Sequence, residues 1–387
     1  MYKNMKQFLM IPGPTPCTEE ALLAGAKPMI GHRHDEFKAI FRDVTEKLKK
    51  VFKTKNAEVF IFNSSGTGAM EAAVANTLSP GERVLILSVG GFGDRWRNIC
   101  NGYHLDVDYV EFEWGTAVDL NVVKEKLEAD TNKSYKAVLW QMNETSTTIL
   151  NDSKGIAEIV KKHGALAIVD AVSGLIAADL RMDEWHLDVV ACGSQKAFMI
   201  PPGLGILAVS PRAMEVVEKS DNGRFYFDLR VWKDFAKKDN TPWTPAESLF
   251  FSLQVNIDRI LEEGLDVQFA RHDLMKRATR EGFKALGMEL LVKDDAYASP
   301  AVTAAIPSGG LDVEKFRAHV KDTYGVVLAP GQKALKGKLF RLGHLGYVDP
   351  LDVVAAFGGI EMALKDMGVD IKLGTGVGTV LDVFQGG

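Results

Sequence analysis

The chain has 387 residues, too many for one compact core, so we expect two domains or three. Hydrophobic residues make up 46% and charged residues 25% of it, which is ordinary for a soluble globular protein. The formal net charge of −5 provides no basic field for nucleic acid and no charged tail of the kind that binds partners.

The three cysteines argue against a disulfide framework and against a structural zinc site. Cys17, Cys100 and Cys192 are scattered along the chain without CxxC spacing. A reducing, cytoplasmic location is therefore expected. The N-terminal residues lack the long apolar segment and the cleavage site of a signal peptide. No stretch approaches the roughly 20 apolar residues that cross a bilayer, so we expect neither a membrane nor a nucleic acid as partner.

The first part of the chain predicts an extended arm followed by a helix. Prolines at positions 12, 14 and 16 forbid a helix there, and residues 1–20 are predicted as an N-terminal arm. Residues 35–53 then place apolar side chains at spacings of three and four, which is typical of an amphipathic helix.

From about residue 57, short apolar runs alternate with helical stretches. Each run is apolar throughout, as in strands buried on both faces of a parallel sheet, and the helical stretches supply the crossovers. The predicted fold is α/β, with a large domain (residues 21–264) built on a mostly parallel sheet with helices on both faces. The predicted strands are 57–62, 83–89, 136–142, 165–170, 189–193 and 203–210.

The rest of the chain predicts a second, smaller domain. Residues 221–245 are polar and rich in aromatic side chains, which indicates a surface loop. A long helical region from about 249 to 286 then leads into strands and amphipathic helices. These predict a C-terminal α+β domain over residues 265–387, in which the glycine-rich tail 373–387 has no assigned structure.

The residues after each predicted strand are the candidates for chemistry, because ligands of open parallel sheets bind beyond the carboxyl ends of the strands. Ser65, Gly66 and Thr67 lie in a turn before a helix, where free N–H groups and the helix dipole favour a phosphate. Ordinary helix capping explains the same turn equally well. Phe92, between glycines in a predicted loop after the next strand, either stacks on a flat ligand or closes the core.

A carboxylate and an amine follow two later strands. Asp170 ends the strand 165–170, where a buried carboxylate needs a partner such as a protonated pyridine nitrogen. Lys196 follows the strand 189–193 in apolar company, which predicts a lowered pKa and a nucleophile towards an aldehyde. Taken alone, the first also explains a helix cap and the second a surface lysine. Together with the hydroxyl groups of residues 143–148, these strand ends present the groups that a pyridoxal phosphate ring needs.

These motifs resemble those of the class V, fold-type I aminotransferases, near the alanine–glyoxylate and serine–pyruvate branch. The resemblance runs from PGPTP (12–16) to RLGHLG (341–346). Its most specific element is GSQKA (193–197) with PPG (201–203), joined to VDAVSG (169–174). It implies a two-domain homodimer with shared active sites and pyridoxal 5'-phosphate (PLP) as the cofactor.

The resemblance also implies roles for individual residues, carried over by position. Lys196 would hold PLP as a Schiff base, and Asp170 would pair with the pyridine nitrogen. Phe92 would stack on the ring, and Arg341 would bind the substrate carboxylate. The other implied PLP contacts are Ser65, Gly66, Thr67 and Gln195 at the phosphate, Ser146 or else Thr145 at the ring hydroxyl, Ser173 nearby, and Thr244 from the other subunit.

The implied reaction is a ping-pong transamination from a small amino acid, alanine or serine, to a 2-oxo acid, glyoxylate or pyruvate. Within PLP chemistry the alternatives are an aspartate aminotransferase, with His32, Arg33 or His34 as a second positive group, and a 2-aminoethylphosphonate aminotransferase. A cysteine desulfurase fits less well, because no cysteine lies in a matching segment towards the C-terminal domain.

Two alternatives lie outside PLP chemistry. A nicotinamide oxidoreductase would need GxGxxG between the first strand and helix, and NSSGTGAM (63–70) does not provide it. A non-catalytic binding subunit could keep the same fold. The pair of Asp170 and Lys196 argues against that alternative.

Overall fold

The structure, a computed structural model, describes residues 6–386. The strands are β1 Phe8–Met10, β2 Glu58–Asn63, β3 Arg83–Ser88, β4 Asp106–Glu111, β5 Tyr135–Gln141, β6 Asn143–Glu144, β7 Ile149–Leu150, β8 Leu166–Asp170, β9 Val189–Gly193, β10 Leu204–Val209, β11 Glu289–Leu290, β12 Val302–Ile306, β13 Val326–Pro330 and β14 Phe340–Gly343. The helices are α1 Glu19–Gly25, α2 Asp35–Val51, α3 Gly66–Thr77, α4 Gly91–Gly102, α5 Leu120–Ala129, α6 Ser153–His163, α7 Pro211–Val217, α8 Leu229–Ala236, α9 Glu247–Glu263, α10 Leu265–Ala285, α11 Val313–Tyr324, α12 Pro350–Asp366 and α13 Thr375–Gly386.

The larger sheet is mostly parallel. Within residues 6–386 it has seven strands in the order β2-β10-β9-β8-β5-β3-β4. The strands from β9 to β4 pair in parallel, whereas β10 runs antiparallel to both of its neighbours. The connection from β9 to β10 covers only residues 194–203, which is too short for the crossover that a parallel neighbour needs.

Both faces of this sheet are covered. Successive side chains of a strand point to opposite faces, so Val138 and Trp140 of β5 pack into one hydrophobic cluster. Ala137 and Leu139 pack into another, on the opposite face. Helices supply further members of each cluster, so side chains on both faces of the strands are covered and the strand sequences are apolar throughout. The predicted α/β fold is confirmed.

A second sheet has the order β1-β13-β14-β12-β11 in the described chain. Its edge strand β1 comes from the N-terminal arm and pairs in parallel with β13, with Phe8 opposite Val326. Helices α10 to α13 contribute side chains to the third hydrophobic cluster, which packs against this sheet. The arm therefore ties the start of the chain to its C-terminal part. The predicted domain boundaries at residues 20 and 264 stay predictions.

Several local predictions need correction. The predicted loop 221–245 contains α8, which begins after the capping side chain of Asp228 and buries Leu229 and Trp232. The long helical region is two helices that meet at Gly264, whose φ of +88° ends the first of them. The tail forms α13. Strand β4 had no prediction because acidic residues interrupt its apolar ones.

The prediction for the residues after β3 also needs correction. They begin α4 at Gly91 and are not a loop, so Phe92 lies in the first turn of a helix. Among the helices of residues 6–386, none is both long enough and apolar enough to span a bilayer.

Candidate active site

A cavity of about 220 Å³ opens at the carboxyl ends of β8 and β9. It collects side chains from turns that are far apart in sequence, as expected where parallel strands end at one edge of a sheet. The lining residues are Ser65, Gly66, Thr67, Met70, Phe92, Arg95, Asn143, Thr145, Asp170, Val172, Ser173, Gln195 and Lys196. Among the predicted site residues, Ser146, Thr244 and Arg341 are not on this wall.

Lys196 presents an amine of unusual acidity to the cavity. Its Nζ donates a hydrogen bond of 2.6 Å to the backbone oxygen of Pro12, in the N-terminal arm. Burial lowers the pKa of Lys196 to about 8; the charge of Asp170 opposes this shift, whereas those of Arg341 and Arg95 add to it. The amine is therefore partly neutral near physiological pH, as a nucleophile or a proton carrier must be.

Asp170 is the matching acid. It is 4% exposed at the end of β8, and its Oδ1 accepts a 2.9 Å hydrogen bond from the backbone N–H of Val172. Burial raises its pKa to about 6, helped by the negative charge of Glu144 and opposed by Arg95 and Lys196. A cationic ligand atom beside this carboxyl would favour its ionised form.

The turn before α3 offers free hydrogen-bonding groups. Ser65 is the residue before the helix, and its hydroxyl does not cap the helix. The first turn of α3 therefore begins without a side-chain cap from Ser65, and residues 65–67 line the cavity. Beside them the buried Oε1 of Gln195 has no hydrogen-bond partner among the described residues. Uncapped N–H groups at a helix start form an anion site.

Arg95 is a lining residue that the sequence analysis missed. Its Nη1 donates to the hydroxyl of Thr67 at 2.8 Å, and its guanidinium lies 4.5 Å from the centre of the Phe92 ring. Once α4 is known to start at Gly91, positions 92 and 95 fall on the same helix face. The prediction of a loop there hid this signal.

Of the two candidates for the ring hydroxyl, the geometry favours Thr145 over Ser146. Thr145 lines the cavity, and its hydroxyl lies 2.7 Å from that of Ser173. The hydroxyl of Ser146 instead donates to Glu144 at 2.6 Å and accepts from the N–H of Gly91 at 2.8 Å. The Ser146 hydroxyl therefore donates one hydrogen bond and accepts another, and neither partner lines the cavity.

Arg341 lies behind the cavity wall on β14 and is 3% exposed. Both hydrogen bonds that its guanidinium donates within residues 6–386 go to backbone oxygens, those of Pro330 at 2.9 Å and Thr145 at 2.7 Å. Burial lowers its pKa to about 10, and the charge of Glu144 opposes that shift. It remains a cation near neutral pH, with no carboxylate in direct contact among the described residues.

Two predicted contacts lie away from this cavity. Thr244 is exposed, and its backbone oxygen accepts a hydrogen bond from Asn63. Arg33, a candidate for a second substrate contact, donates instead to Asn240 and to the backbone oxygens of Thr241 and Pro242. Neither residue contributes to the cavity within one chain.

The three cysteines also lie outside the cavity lining. Cys100 is buried in α4 and Cys192 in β9, and burial raises the pKa of both thiols to about 12. Cys17 is partly buried, and burial also raises the pKa of its thiol. Thiols of this kind are poor nucleophiles at neutral pH.

Comparison with known proteins gives a consistent family and varied names. The family model Aminotransferase class-V matches residues 20–343. A soluble hydrogenase 42 kDa subunit from Anabaena cylindrica is 43% identical over 98% of this chain and 99% of its own length. A serine–glyoxylate aminotransferase from Hyphomicrobium methylovorum is 39% identical, with 97% and 94% covered. An L-aspartate–glyoxylate aminotransferase from Paracoccus denitrificans is 38% identical, with 97% and 96% covered.

A solved structure gives the same result for the whole chain. The ureidoglycine–glyoxylate aminotransferase from Bacillus subtilis superimposes with a TM-score of 0.92 at 29% identity and covers 99% of both chains. The resemblance stated from the motifs is therefore confirmed.

Proposed function

We propose a specific reaction for this chain, which belongs to the class-V aminotransferase family: a ping-pong transfer of an amino group from alanine or serine to glyoxylate or pyruvate. The family implies PLP as the cofactor. The observation that carries the proposal is that Lys196 and Asp170, with pKa values displaced towards each other, line one cavity.

The residues of this cavity fit PLP. The uncapped start of α3, with Ser65, Gly66 and Thr67, suits its phosphate, and Gln195 lines the same cavity. Asp170 suits the pyridinium nitrogen, which would relieve the burial of its charge. Phe92 offers a flat face and Thr145 a hydroxyl. Lys196 would hold the cofactor covalently.

PLP supplies an electron sink for charge that develops at the substrate α-carbon. The residues of this chain do the rest. Asp170 stabilises the positive charge that makes the sink effective. Lys196, once released from the cofactor, would take the α proton of the substrate at Nζ as general base and would deliver it to the former aldehyde carbon of the cofactor as general acid. A pKa of about 8 leaves a much larger neutral fraction of the amine near neutral pH than an ordinary lysine has.

Arg341 would anchor the substrate carboxylate. A planar guanidinium suits two-point recognition of a carboxylate, and two of its N–H groups already fix its orientation against backbone oxygens. Because this is one anchor, the proposal favours donors with a neutral side chain.

Aspartate is the second candidate donor. Arg95 brings a second guanidinium to the cavity lining, and it could meet a side-chain carboxylate. A relative named for aspartate is nearly as similar as one named for serine. Arg95 is already hydrogen-bonded to Thr67, on the side proposed for the phosphate, which is why alanine and serine come first.

One relative is named as a hydrogenase subunit, so the alternative to an enzyme is a non-catalytic binding subunit with the same fold. The two proposals differ in whether the bound cofactor reacts. A subunit that only retains the fold has no need of an amine with a pKa of about 8 beside a buried acid.

A half-reaction screen tests the proposal. Purified protein loaded with PLP is mixed with one amino acid at a time, and the visible band of the aldehyde form is followed. Alanine or serine is expected to convert it to the amine form, and glyoxylate or pyruvate to restore it. Aspartate, 2-aminoethylphosphonate and cysteine complete the panel. Conversion by none of them would contradict the transamination and leave the binding subunit.

A further inference from the structure

Glu144 is a buried carboxylate to which the proposed reaction gives no role. It ends β6, directly before Thr145, and is 0% exposed. Its Oε1 accepts hydrogen bonds from the N–H of Ser146 at 3.0 Å and from the Ser146 hydroxyl at 2.6 Å. Its Oε2 accepts from the N–H groups of Phe92 at 2.9 Å and Gly93 at 3.2 Å. Burial raises the pKa of Glu144, and these four donated hydrogen bonds counteract that shift because they favour the ionised carboxylate.

These hydrogen bonds complete the first turn of α4. The first N–H groups of a helix have no partner within the helix, and Gly90, the residue before α4, has no side chain to cap it. Glu144 takes the N–H groups of Phe92 and Gly93, while the Ser146 hydroxyl takes that of Gly91. The carboxylate also lies at the positive end of the helix dipole, which stabilises its charge.

The packing around Gly90 shows that this arrangement is tight. A Cβ on Gly90 would lie 2.5 Å from the Ser146 hydroxyl and 2.7 Å from Cγ of Glu144. A side chain at position 90 is therefore excluded, and the cap that it would have supplied comes from a different strand. The start of α4 is held from β6 and from the residues that follow it.

The first turn of α4 carries Phe92, and Arg95 follows it on the same helix face. The position of the helix start thus decides where these two groups stand in the cavity. We propose that Glu144 is a positioning residue: by holding the first turn of α4, it fixes the ring of Phe92 at the cavity wall against which PLP would bind. This inference rests on the proposed function, because the Phe92 ring contacts a cofactor only if PLP binds in this cavity.

The charge of Glu144 reaches two further groups of the site. It raises the pKa of Asp170, after the larger effect of burial, and it opposes the lowering of the pKa of Arg341. The same carboxylate therefore helps to keep Arg341 charged and holds the aromatic wall without lining the cavity itself, whereas it works against the ionised form of Asp170 until a cationic ligand atom is present.

The test compares two isosteric changes. Glu144→Gln keeps the volume but turns an NH₂ towards one pair of donors. Either the N–H groups of Phe92 and Gly93 or the two donor groups of Ser146, whose hydroxyl holds Gly91, then lose their acceptor. Glu361→Gln is the matched control: Glu361 is 2% exposed, it accepts from the N–H groups of Gly374 and Val377 at the start of α13, and it is not among the residues that line the cavity. Both variants should lose thermal stability.

PLP binding separates the two variants. For Glu144→Gln we expect a Kd for PLP at least about tenfold higher, which corresponds to losing buried hydrogen bonds to a charged group. We also expect a smaller visible circular dichroism per bound PLP, because the ring loses its fixed wall. Glu361→Gln should leave both quantities at the wild-type values.

A double-mutant cycle shows whether Glu144 acts through Phe92. If it does, Phe92→Leu should remove most of the effect of Glu144→Gln on the Kd, since coupled residues are not additive. A full-size effect of Glu144→Gln in the Phe92→Leu background, or an unchanged Kd in the single variant, overturns the inference. If Glu144→Gln does not fold, Ser146→Ala replaces it as the test. We then expect PLP to bind a few-fold more weakly, and unchanged PLP binding overturns the inference. Failure of the wild type to bind PLP contradicts the proposed function instead.

Discussion

Lys196 and Asp170 owe their displaced pKa values to the same cause, which is burial beside a small cavity. Burial disfavours the charged form of each group, so the amine becomes more acidic and the carboxyl less acidic. Their opposite charges counteract both shifts but do not cancel them. Burial of these two groups destabilises the protein without a ligand, and a covalently bound ligand that places a cationic atom beside the carboxyl would relieve it.

The acidity of Lys196 predicts how PLP attachment depends on pH. Only the neutral amine attacks an aldehyde, so the attachment rate of the protein without PLP should rise with pH through about 8 and level off above it. The visible absorbance of the attached cofactor, or its retention after borohydride reduction, measures the rate. Lys196→Arg should show no attachment. A midpoint near that of an ordinary lysine would contradict the argument.

The raised pKa of Asp170 predicts that its ionised carboxylate destabilises the protein without PLP. Because its pKa is about 6 when folded and 3.8 when unfolded, the free energy of unfolding falls as pH rises from about 4 to about 6 and then stays level. Asp170→Asn does not titrate, so without PLP it should be more stable than the wild type at pH 7 by about 3 kcal/mol. The advantage should vanish near pH 4. Thermal unfolding at both pH values measures it, and equal stabilities at pH 7 would contradict it.

At the scale of elements, the site depends on how closely two turns approach each other. Gly66 begins α3, and a Cβ there would lie 2.7 Å from Cγ2 of Val172. Val172 in turn donates its N–H to Asp170. The proposed phosphate turn and the buried acid are therefore in mechanical contact through one valine.

This contact predicts that Gly66→Ala weakens PLP binding through displacement of Val172, although alanine favours a helix. We expect a Kd for PLP raised by about tenfold, equal to about 1.4 kcal/mol. Gly358→Ala is the control, because position 358 lies within α12 with open space around a Cβ. That change should leave PLP binding alone and add up to about 1 kcal/mol of stability. Equal PLP affinities in both variants would argue against the coupling.

At the scale of the whole molecule, the cavity draws on both ends of the chain. The arm places β1 in the second sheet and the backbone oxygen of Pro12 against Lys196. β14 of that sheet brings Arg341 to the backbone of Thr145. The proposed anchor and the proposed cofactor site thus belong to different sheets, and any movement of one sheet against the other would alter the distance between them.

The predicted homodimer includes a contact between subunits, because Thr244 is predicted to reach the PLP phosphate in the site of the partner subunit. Thr244 is exposed and lines no part of the cavity of its own chain. If it reaches the phosphate in the partner's site, Thr244→Ala should raise the Kd for PLP by several-fold, as for loss of about 1 kcal/mol in one hydrogen bond. Thr241→Ala is a nearby control, since its buried hydroxyl bonds to the backbone of Trp243. Sedimentation gives the oligomeric state, and a monomeric wild type with full PLP affinity would contradict the shared site.

The sequence by itself determined the α/β fold and most of the residues around the cavity. Apolar runs of strand length, alternating with amphipathic helices, permit little other than a parallel sheet covered on both faces. In such a sheet the residues after each strand meet at one edge, so Asp170 and Lys196, together with Ser65 to Thr67, could be grouped from their order alone. Phe92 was found in the same way, although its local structure was predicted wrongly.

Only the tertiary structure decided the orientation of neighbouring side chains. Thr145 faces the cavity and Ser146 faces α4 because the backbone turns between them, and a sequence of hydroxyl residues does not encode which way each one points. The antiparallel direction of β10 depends on a short connection, and the place of Arg95 depends on where α4 begins. Glu144 acts across β6 and α4. Contacts of this kind join segments about 50 residues apart, and local sequence preferences carry no information about them.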